Sequence, residues 1–364
     1  MAPDDEPNAW LRLALAEPHG GRLLGARLAA ALGGARAALG ASQATLVELV
    51  GRDRAGDLRA AWRRARPAAV RARAARLEQR VLTPADPGWP VDAFAGLADP
   101  PCALFARGAL PPRGAASVGI VGTRDATHYG LAFARELARD LATAGVWVVS
   151  GFALGIDGAA HGGCVDGGGT TLAVLGCGID HPYPSAHLDL RDDLLAAGGG
   201  LLSEHAPGVE PRKHHFPRRN RLAAALVQAL VVVEAPARSG ALITARLALE
   251  LGREVLAVPG NVGQRARAGC HRLLREGAAL CESAADVLEA IGIDTPDGPG
   301  LALRPEPSGE AGLLWRALDA ATPVDAGVLC TRTGLAPEIV AAALVELELA
   351  GRARRLPEGG FLRH

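Results

Sequence analysis

Lysine is almost missing from this 364-residue chain: Lys213 is the only one, and the other 38 of its 39 cations are arginine. Against a composition so rich in Arg, Ala and Gly, one surviving lysine marks a position to inspect. Aromatic residues make up 4% and methionine occurs once. Net charge is absent as well. Thirty-nine Lys+Arg against 39 Asp+Glu excludes a bulk-basic, histone-like protein and leaves room for a local basic patch. No charge-free apolar run of about 18 residues occurs, which argues against a transmembrane span. The opening MAPDDEPNAW is acidic, unlike a signal or transit peptide. Six cysteines (Cys102, Cys164, Cys177, Cys270, Cys281, Cys330) form no C-x-x-C pair. A zinc ribbon, a thioredoxin motif and a disulfide framework therefore lack support, and the pattern reads as reduced, mostly buried thiols of a cytoplasmic protein.

Several catalytic signatures are also missing. GIVGTRDATHYG has the wrong spacing for a dinucleotide fingerprint, and LGCGID lacks the third glycine, so a nicotinamide cofactor is weakly supported. A Walker A loop needs Gly-Lys-Ser/Thr, and Lys213 stands between Arg212 and His214, which excludes P-loop hydrolysis. H-E-x-x-H and G-x-S-x-G do not occur. Neither a cofactor nor a metal is expected.

What is present is a chain with 49% hydrophobic residues, long enough for two or three domains of about 100–200 residues each. Residues 1–78 read as short helices broken by glycines, with Ser42 a candidate cap. Nine arginines and two aspartates lie between Arg52 and Arg76. They fit either a solvated helix face or a supplementary nucleic-acid surface. Residues 79–114 are Pro-rich and are expected to form an irregular connector. Then the pattern changes: SVGIVGT, VWVVSG, TTLAVLGC, GLLSE, ALVVVEA and EVLAVPG alternate with helical stretches over 115–293. Continuous Val-rich runs separated by helices predict a doubly wound α/β domain with a parallel sheet buried on both faces. SAADVLEAIG closes it, with Ser283 and Asp286 in capping-box spacing. Residues 294–310 read as a linker. Residues 311–364 read as a helix, a helix–turn–helix and a hairpin around PEGG, a winged-helix-like pattern. Its second helix, EIVAAALVELELA, is acidic and apolar, so a packing or protein-contact role stands beside DNA reading.

In a doubly wound sheet, ligands bind outside the carboxyl ends of the strands. Gly122-Thr123-Arg124, Ser150-Gly151, Gly176-Cys177-Gly178 and Arg238-Ser239-Gly240 fall at such ends. Glycines let backbone approach a phosphate, Thr123, Ser150 and Ser239 carry hydroxyls, and Arg124 carries a fork of donors. Singly, each is ordinary βα turn chemistry; together they form a candidate anion cradle. The segment PRKHHFPRRNR holds Arg212, Lys213, Arg218, Arg219 and Arg221 without one acid, with Phe216 among them. Cations for phosphates plus a ring for an unpaired base is how single-strand sites are built. A solvated basic loop is the plain alternative, and a histidine metal site of His205, His214 and His215 a weak one. Asn220 suits reading a base edge or fixing the loop. Asp157 and His161, at i and i+4, fit an acid–base pair or a helix-stabilising contact. Glu204 and Glu234 fit catalytic carboxylates, helix caps, or partners for Arg219 and Arg221.

Six ordered motifs across 117–280 (GIVGTRDATHYG, VVSGFALGIDGAAH, TLAVLGCGIDHPYPSAH, LLSEHAPGVEPRKHHFPRRNR, VVVEAPARSGALITARLALELGREVLAVPG and GCHRLLREGA) closely resemble the DNA-processing protein A family (DprA, also called Smf). The resemblance implies a Rossmann-like domain that binds single-stranded DNA, protects incoming strands in natural transformation and helps load the RecA recombinase, without catalysis. It implies an N-terminal helical domain of SAM or helix-hairpin-helix type, a winged-helix-like C-terminus and a homodimer; the helix near Leu273 and Leu274 is a candidate dimer surface. Carried over by motif, Arg124 contacts phosphate, Lys213 and Phe216 supply charge and stacking, and Arg219, Asn220 and Arg221 shape the pocket beside Ser239 and Gly240. Ala241 and His271 stand where family members often carry Ser and Asn. The alternative is a nucleotide-processing enzyme of the lysine-decarboxylase-like group, whose P-G-G-x-G-T-x-x-E motif is absent; EAPARSGALIT is its nearest counterpart here.

Overall fold

A computed structural model of the chain describes residues 5–16, 24–181, 183–293, 307–319, 322–349, 352–356 and 359–363. The expected linker lies outside the described residues up to residue 306, as do Pro357 and Glu358 of the expected PEGG turn. A nine-stranded sheet organises the chain. Its strands are β1 (Arg80–Leu82), β2 (Leu104–Gly108), β3 (Ser117–Val121), β4 (Trp147–Ser150), β5 (Thr171–Leu175), β6 (Gly200–Ser203), β7 (Ala229–Val232), β8 (Glu254–Ala257) and β9 (Ala279–Leu280). They run in the order β1-β2-β6-β5-β4-β3-β7-β8-β9. Neighbours from β6 through β9 pair parallel. The chain steps outward from β3 to β6 and then returns to β3's other side for β7, so the order reverses at β3.

The six apolar runs are β3 to β8. Strands β3 to β7 are buried at every residue, as a sheet covered on both faces requires. On one face, Val118, Ile120, Val148 and Val231 pack against Leu137 and Leu141 of helix His128–Thr143 and against helices Ile156–Asp166 and Ala284–Ala290. On the other, Val149, Leu172 and Val174 pack under Leu222 of helix His215–Ala225, and Leu230 and Val232 under Leu242 and Ala245 of helix Gly240–Glu250. Ser283 and Asp286 form the expected capping box.

The Pro-rich stretch 79–114 is not an irregular connector. It supplies β1 and β2, which pair antiparallel with each other and, through β2, with β6. Both are short and β2 lies between two Pro-Pro pairs (Pro100-Pro101 and Pro111-Pro112), so proline density masks them. Three-residue β1 is also a suitably short end for the sheet. Strand β9, two exposed residues long, carries too little pattern to read from sequence.

Among the described residues, five N-terminal helices between Glu6 and Arg64 surround Leu13, Leu28, Leu46 and Trp62, and a sixth, Pro67–Arg76, follows them. Ser42 accepts from the Thr45 N–H at 3.1 Å as a cap. Buried Arg12 donates to the Trp62 and Ala65 carbonyls at 2.8 and 3.0 Å, satisfying orphan groups at the C-terminal end of helix Arg52–Arg64. Leu11 and Ala74 join Phe105, Leu175 and Leu201, which docks this unit on the sheet. At the other end of the chain, helices Gly309–Ala317, Ala326–Thr333 and Pro337–Leu349 and the antiparallel pair Ala353–Arg355 and Phe361–Arg363 enclose a separate core of Leu314, Leu329, Leu344 and Leu347. The last two helices cross at 109°, giving the expected winged helix. Among the described residues no single helix is long and apolar enough to cross a membrane.

Candidate nucleic-acid interface

At the carboxyl ends of β3, β4 and β5 lies a cleft of about 300 Å³. Its rim carries Arg124, its floor Leu175, Gly176 and Cys177, and its walls Gly151 to Leu154 and Tyr183 to Ala186; Phe216 closes it. Most of them come from loops that leave a strand; Leu175 ends β5, and Phe216 lies in the first turn of helix His215–Ala225. The exposed Arg124 guanidinium lies 5.2 Å from the centre of the Phe216 ring. Gly176 lies under Phe216: a Cβ there would stand 3.0 Å from the ring, which would have to shift by a few tenths of an ångström. Exposed Lys213 and His214 precede Phe216 at the start of helix His215–Ala225.

The twelve residues expected to contact DNA divide into three groups. Arg124, Gly151 and Phe216 line the cleft, and Lys213 is exposed next to it in sequence. A second group shapes loops. Thr123 donates its N–H to the Glu234 carbonyl at 2.7 Å and accepts from Ile156 N–H at 3.3 Å. Gly122 gives room for Ile156, whose side chain a Cβ would meet at 2.4 Å. The Ser239 hydroxyl accepts from Ala241 N–H as a helix cap, and Asn220 reaches the Gly240 carbonyl at 3.5 Å, so it fixes the loop. The third group is internal, contrary to the expectation of direct contact. The Ser150 hydroxyl is buried and donates to the Ile120 carbonyl at 2.6 Å. Arg219 is buried and donates to the Val174 carbonyl. Arg221 is buried and pairs with Glu204 at 2.7 Å and Asp99 at 3.2 Å. Cations in a run look alike in sequence, but helical geometry turns two of the RRNR arginines inward.

Asp157 and His161 do not pair. Asp157 accepts from the Gly151 and Ala153 N–H groups at 3.1 and 3.3 Å and faces Arg219. Burial pushes its carboxyl above the usual range, against the pull of that guanidinium and those N–H groups. Burial lowers Arg219 to about 10, still charged at neutral pH. Arg219 is thus a bracket: it ties β5 to the loop after β4, and a Cβ at Gly151 would stand 2.3 Å from it. His161 holds Thr171 Oγ1 at 2.7 Å, and that hydroxyl donates to Val148 O at 2.7 Å. One hydroxyl proton cannot serve both, so His161 carries its proton on Nδ1 and donates. Glu204 holds Arg221, while Glu234 holds Arg267 at 2.8 Å and accepts from Thr127 N–H and Oγ1–H. Glu234 is fully buried and has no free edge for chemistry. His205 and His215 stack with centroids 4.1 Å apart, and His215 Nδ1 turns to the Gly176 carbonyl at 3.2 Å. Leu273 is core, which removes it from any dimer surface.

Tyr183 was absent from the expected site. It is 39% exposed and its ring lies 5.5 Å from that of Phe216. The available signal was HPYPSAH: one of only two tyrosines, held between prolines in the loop after β5.

The fold and cleft define a doubly wound, Rossmann-like protein with a cation-and-ring site on its sheet crest and an appended winged helix. Residues 80–292 match the model of the DNA recombination-mediator protein A family, and residues 300–359 that of the DprA winged helix domain. The chain is 44% identical over 295 residues to a putative DNA processing protein DprA of Mycobacterium tuberculosis, covering 75% of this chain and 74% of that one. It is 38% identical over 290 residues to protein Smf of Escherichia coli, covering 78% and 77%. DprA of Streptococcus pneumoniae superposes with a TM-score of 0.67 at 30% identity, over 79% of this chain and 98% of that one. A Helicobacter pylori DNA processing protein A, whose structure concerns its single-stranded DNA binding mode, gives 0.52 at 29% identity, over 59% and 95%. The chain belongs to the DNA recombination-mediator protein A family.

Proposed function

We propose that this protein binds single-stranded DNA across the cleft and performs no bond-breaking on it. The carrying observation is the meeting of exposed Arg124 with Phe216 in one cleft, with exposed Lys213 three residues before that ring in the sequence. A guanidinium for phosphate and a ring for a base match an unpaired strand better than a duplex, whose bases are stacked away. The single-strand binding mode of the Helicobacter pylori relative supports the same reading. Glu234, the carboxylate a nucleotide-processing enzyme would call on, is buried and fully engaged, which favours binding over catalysis.

Within this reading the protein works in the cytoplasm, protects incoming strands during natural transformation and helps RecA load on them, as a homodimer. Titration of labelled oligothymidylate against the matching duplex at several salt concentrations tests the core of it. Tighter, salt-dependent binding of the single strand is expected. Equal affinity for both overturns it, and release of free base from a nucleoside monophosphate restores the enzymatic reading. RecA filament growth on strands carrying this protein, and sedimentation of the free protein, test loading and dimerisation.

A further inference from the structure

One wall of the cleft has no part in the reading above. It runs from Tyr183 to Ala186, in the loop between β5 and the helix Leu188–Ala196. The rings of Tyr183 and Phe216 meet at a tilt, with centres 5.5 Å and planes 42° apart. Leu154 and Leu175 add apolar surface, and no carboxylate is among the described residues that line the space. Asp157 lies behind the wall with Oδ2 turned to backbone N–H groups. Arg124 is the one cation among the described lining residues, and it is exposed.

We infer that the cleft is a slot for a single unpaired base of the strand, and that Tyr183 is its second stacking ring. The inference rests on the single-strand reading and deepens it. At about 300 Å³ the cleft stands at the small end of ligand sites, which run from about 300 to 1,000 Å³; it admits one nucleotide and no duplex. An apolar slot with rings takes any base, since every base has a π-face, while Arg124 at the rim takes the phosphate. A base held between two rings needs them about 7 Å apart, twice a van der Waals contact. From 5.5 Å, Tyr183 on its exposed loop has about 1.5 Å to move. A duplex must first unpair and unstack the base, so the slot selects single strands without reading sequence.

The test compares an oligothymidylate with an abasic strand of equal length on the full chain, with Tyr183→Ala and Tyr183→Phe. The wild type should prefer the base-bearing strand. Tyr183→Ala should weaken that strand by about 5- to 150-fold, the worth of one base–ring stack, with the abasic strand and the salt slope unchanged. Tyr183→Phe should behave as wild type, because the ring and not the hydroxyl acts. An aminopurine placed in the strand should be quenched by wild type and less by Tyr183→Ala. Equal losses on both strands in Tyr183→Ala, or full quenching in that variant, overturn the inference. If the wild type binds the two strands equally, the slot fails and the single-strand reading stands; if it binds neither, that reading itself fails. Displacement of the strand by micromolar thymidine monophosphate would make the cleft a free-nucleotide site and also overturn it.

Discussion

The Arg124 guanidinium sits 5.2 Å from the centre of the Phe216 ring, joining the loop after β3 to the first turn of helix His215–Ala225. An exposed cation–π contact contributes only about 0.5–1 kcal/mol, so Arg124 leaves the ring readily for a phosphate. The two residues then act through different physics and should separate by salt. Arg124→Ala should weaken oligothymidylate binding across sequences and lower the salt slope by about 1. Phe216→Ala should cost about 1–3 kcal/mol of affinity with the slope unchanged. Fluorescence anisotropy at several salt concentrations reads both.

Lys213 and Arg219 lie in one basic run but should give opposite phenotypes. Lys213 is exposed, so Lys213→Ala should reduce affinity and leave stability within about 0.5 kcal/mol. Arg219 is buried facing Asp157. Arg219→Ala leaves that carboxylate without its cation and should destabilise the fold by about 3–5 kcal/mol. Adding Asp157→Asn should recover part of the loss. Urea unfolding midpoints at constant slope measure each.

The parts of this fold that sequence reveals are those governed by period and punctuation. Six strands announce themselves as short apolar runs, five of them followed by a turn with Gly, Ser or Pro, and Ser42 and Ser283 as caps. Strands β1 and β2 do not, because β1 has only three residues and prolines flank β2. At the site, Arg124 and Phe216 were legible from chemistry and spacing. Arg219 and Arg221 were not separable from Lys213, because burial depends on which face of helix His215–Ala225 meets β5 and on where Glu204 and Asp99 arrive. Tyr183 escaped because a lone ring between prolines has no period, and only the closed sheet brings it to Phe216.

Among the described residues, Glu234 and Arg267 form the most enclosed ion pair, at 0% and 2% exposure and 2.8 Å. Glu234 also receives Thr127 N–H and Oγ1–H, and Arg267 donates to the Val233 carbonyl and covers the Tyr129 ring at 4.8 Å. The pair thereby ties the loop bearing Arg124 to the segment after β8. Glu234→Gln keeps the shape but removes the counter-charge, and should cost about 3–5 kcal/mol. Because the GTR loop loosens with it, DNA affinity at low denaturant should fall as well. Hydrogen exchange at Thr127 and Ala126 reads that loosening; protection equal to wild type would detach the pair from the loop.

His161 makes stability depend on acid. Burial, with Arg219 and His187 nearby, lowers its pKa from 6.5 to about 3, and its Nδ1–H already serves Thr171. The unfolded chain therefore binds a proton below about pH 6.5 that the folded chain refuses until about pH 3. The contribution is fully present above pH 6.5 and is lost as pH falls toward 3, at no more than about 1.4 kcal/mol per pH unit. His187, also lowered by burial, adds with the same sign. Asp157, raised by burial, acts oppositely over its own range above 3.8. The readable quantity is thus the difference between wild type and His161→Gln. Urea midpoints taken from pH 7 to pH 4 should fall more steeply for wild type, and parallel curves would mean that His161 titrates normally in the folded chain.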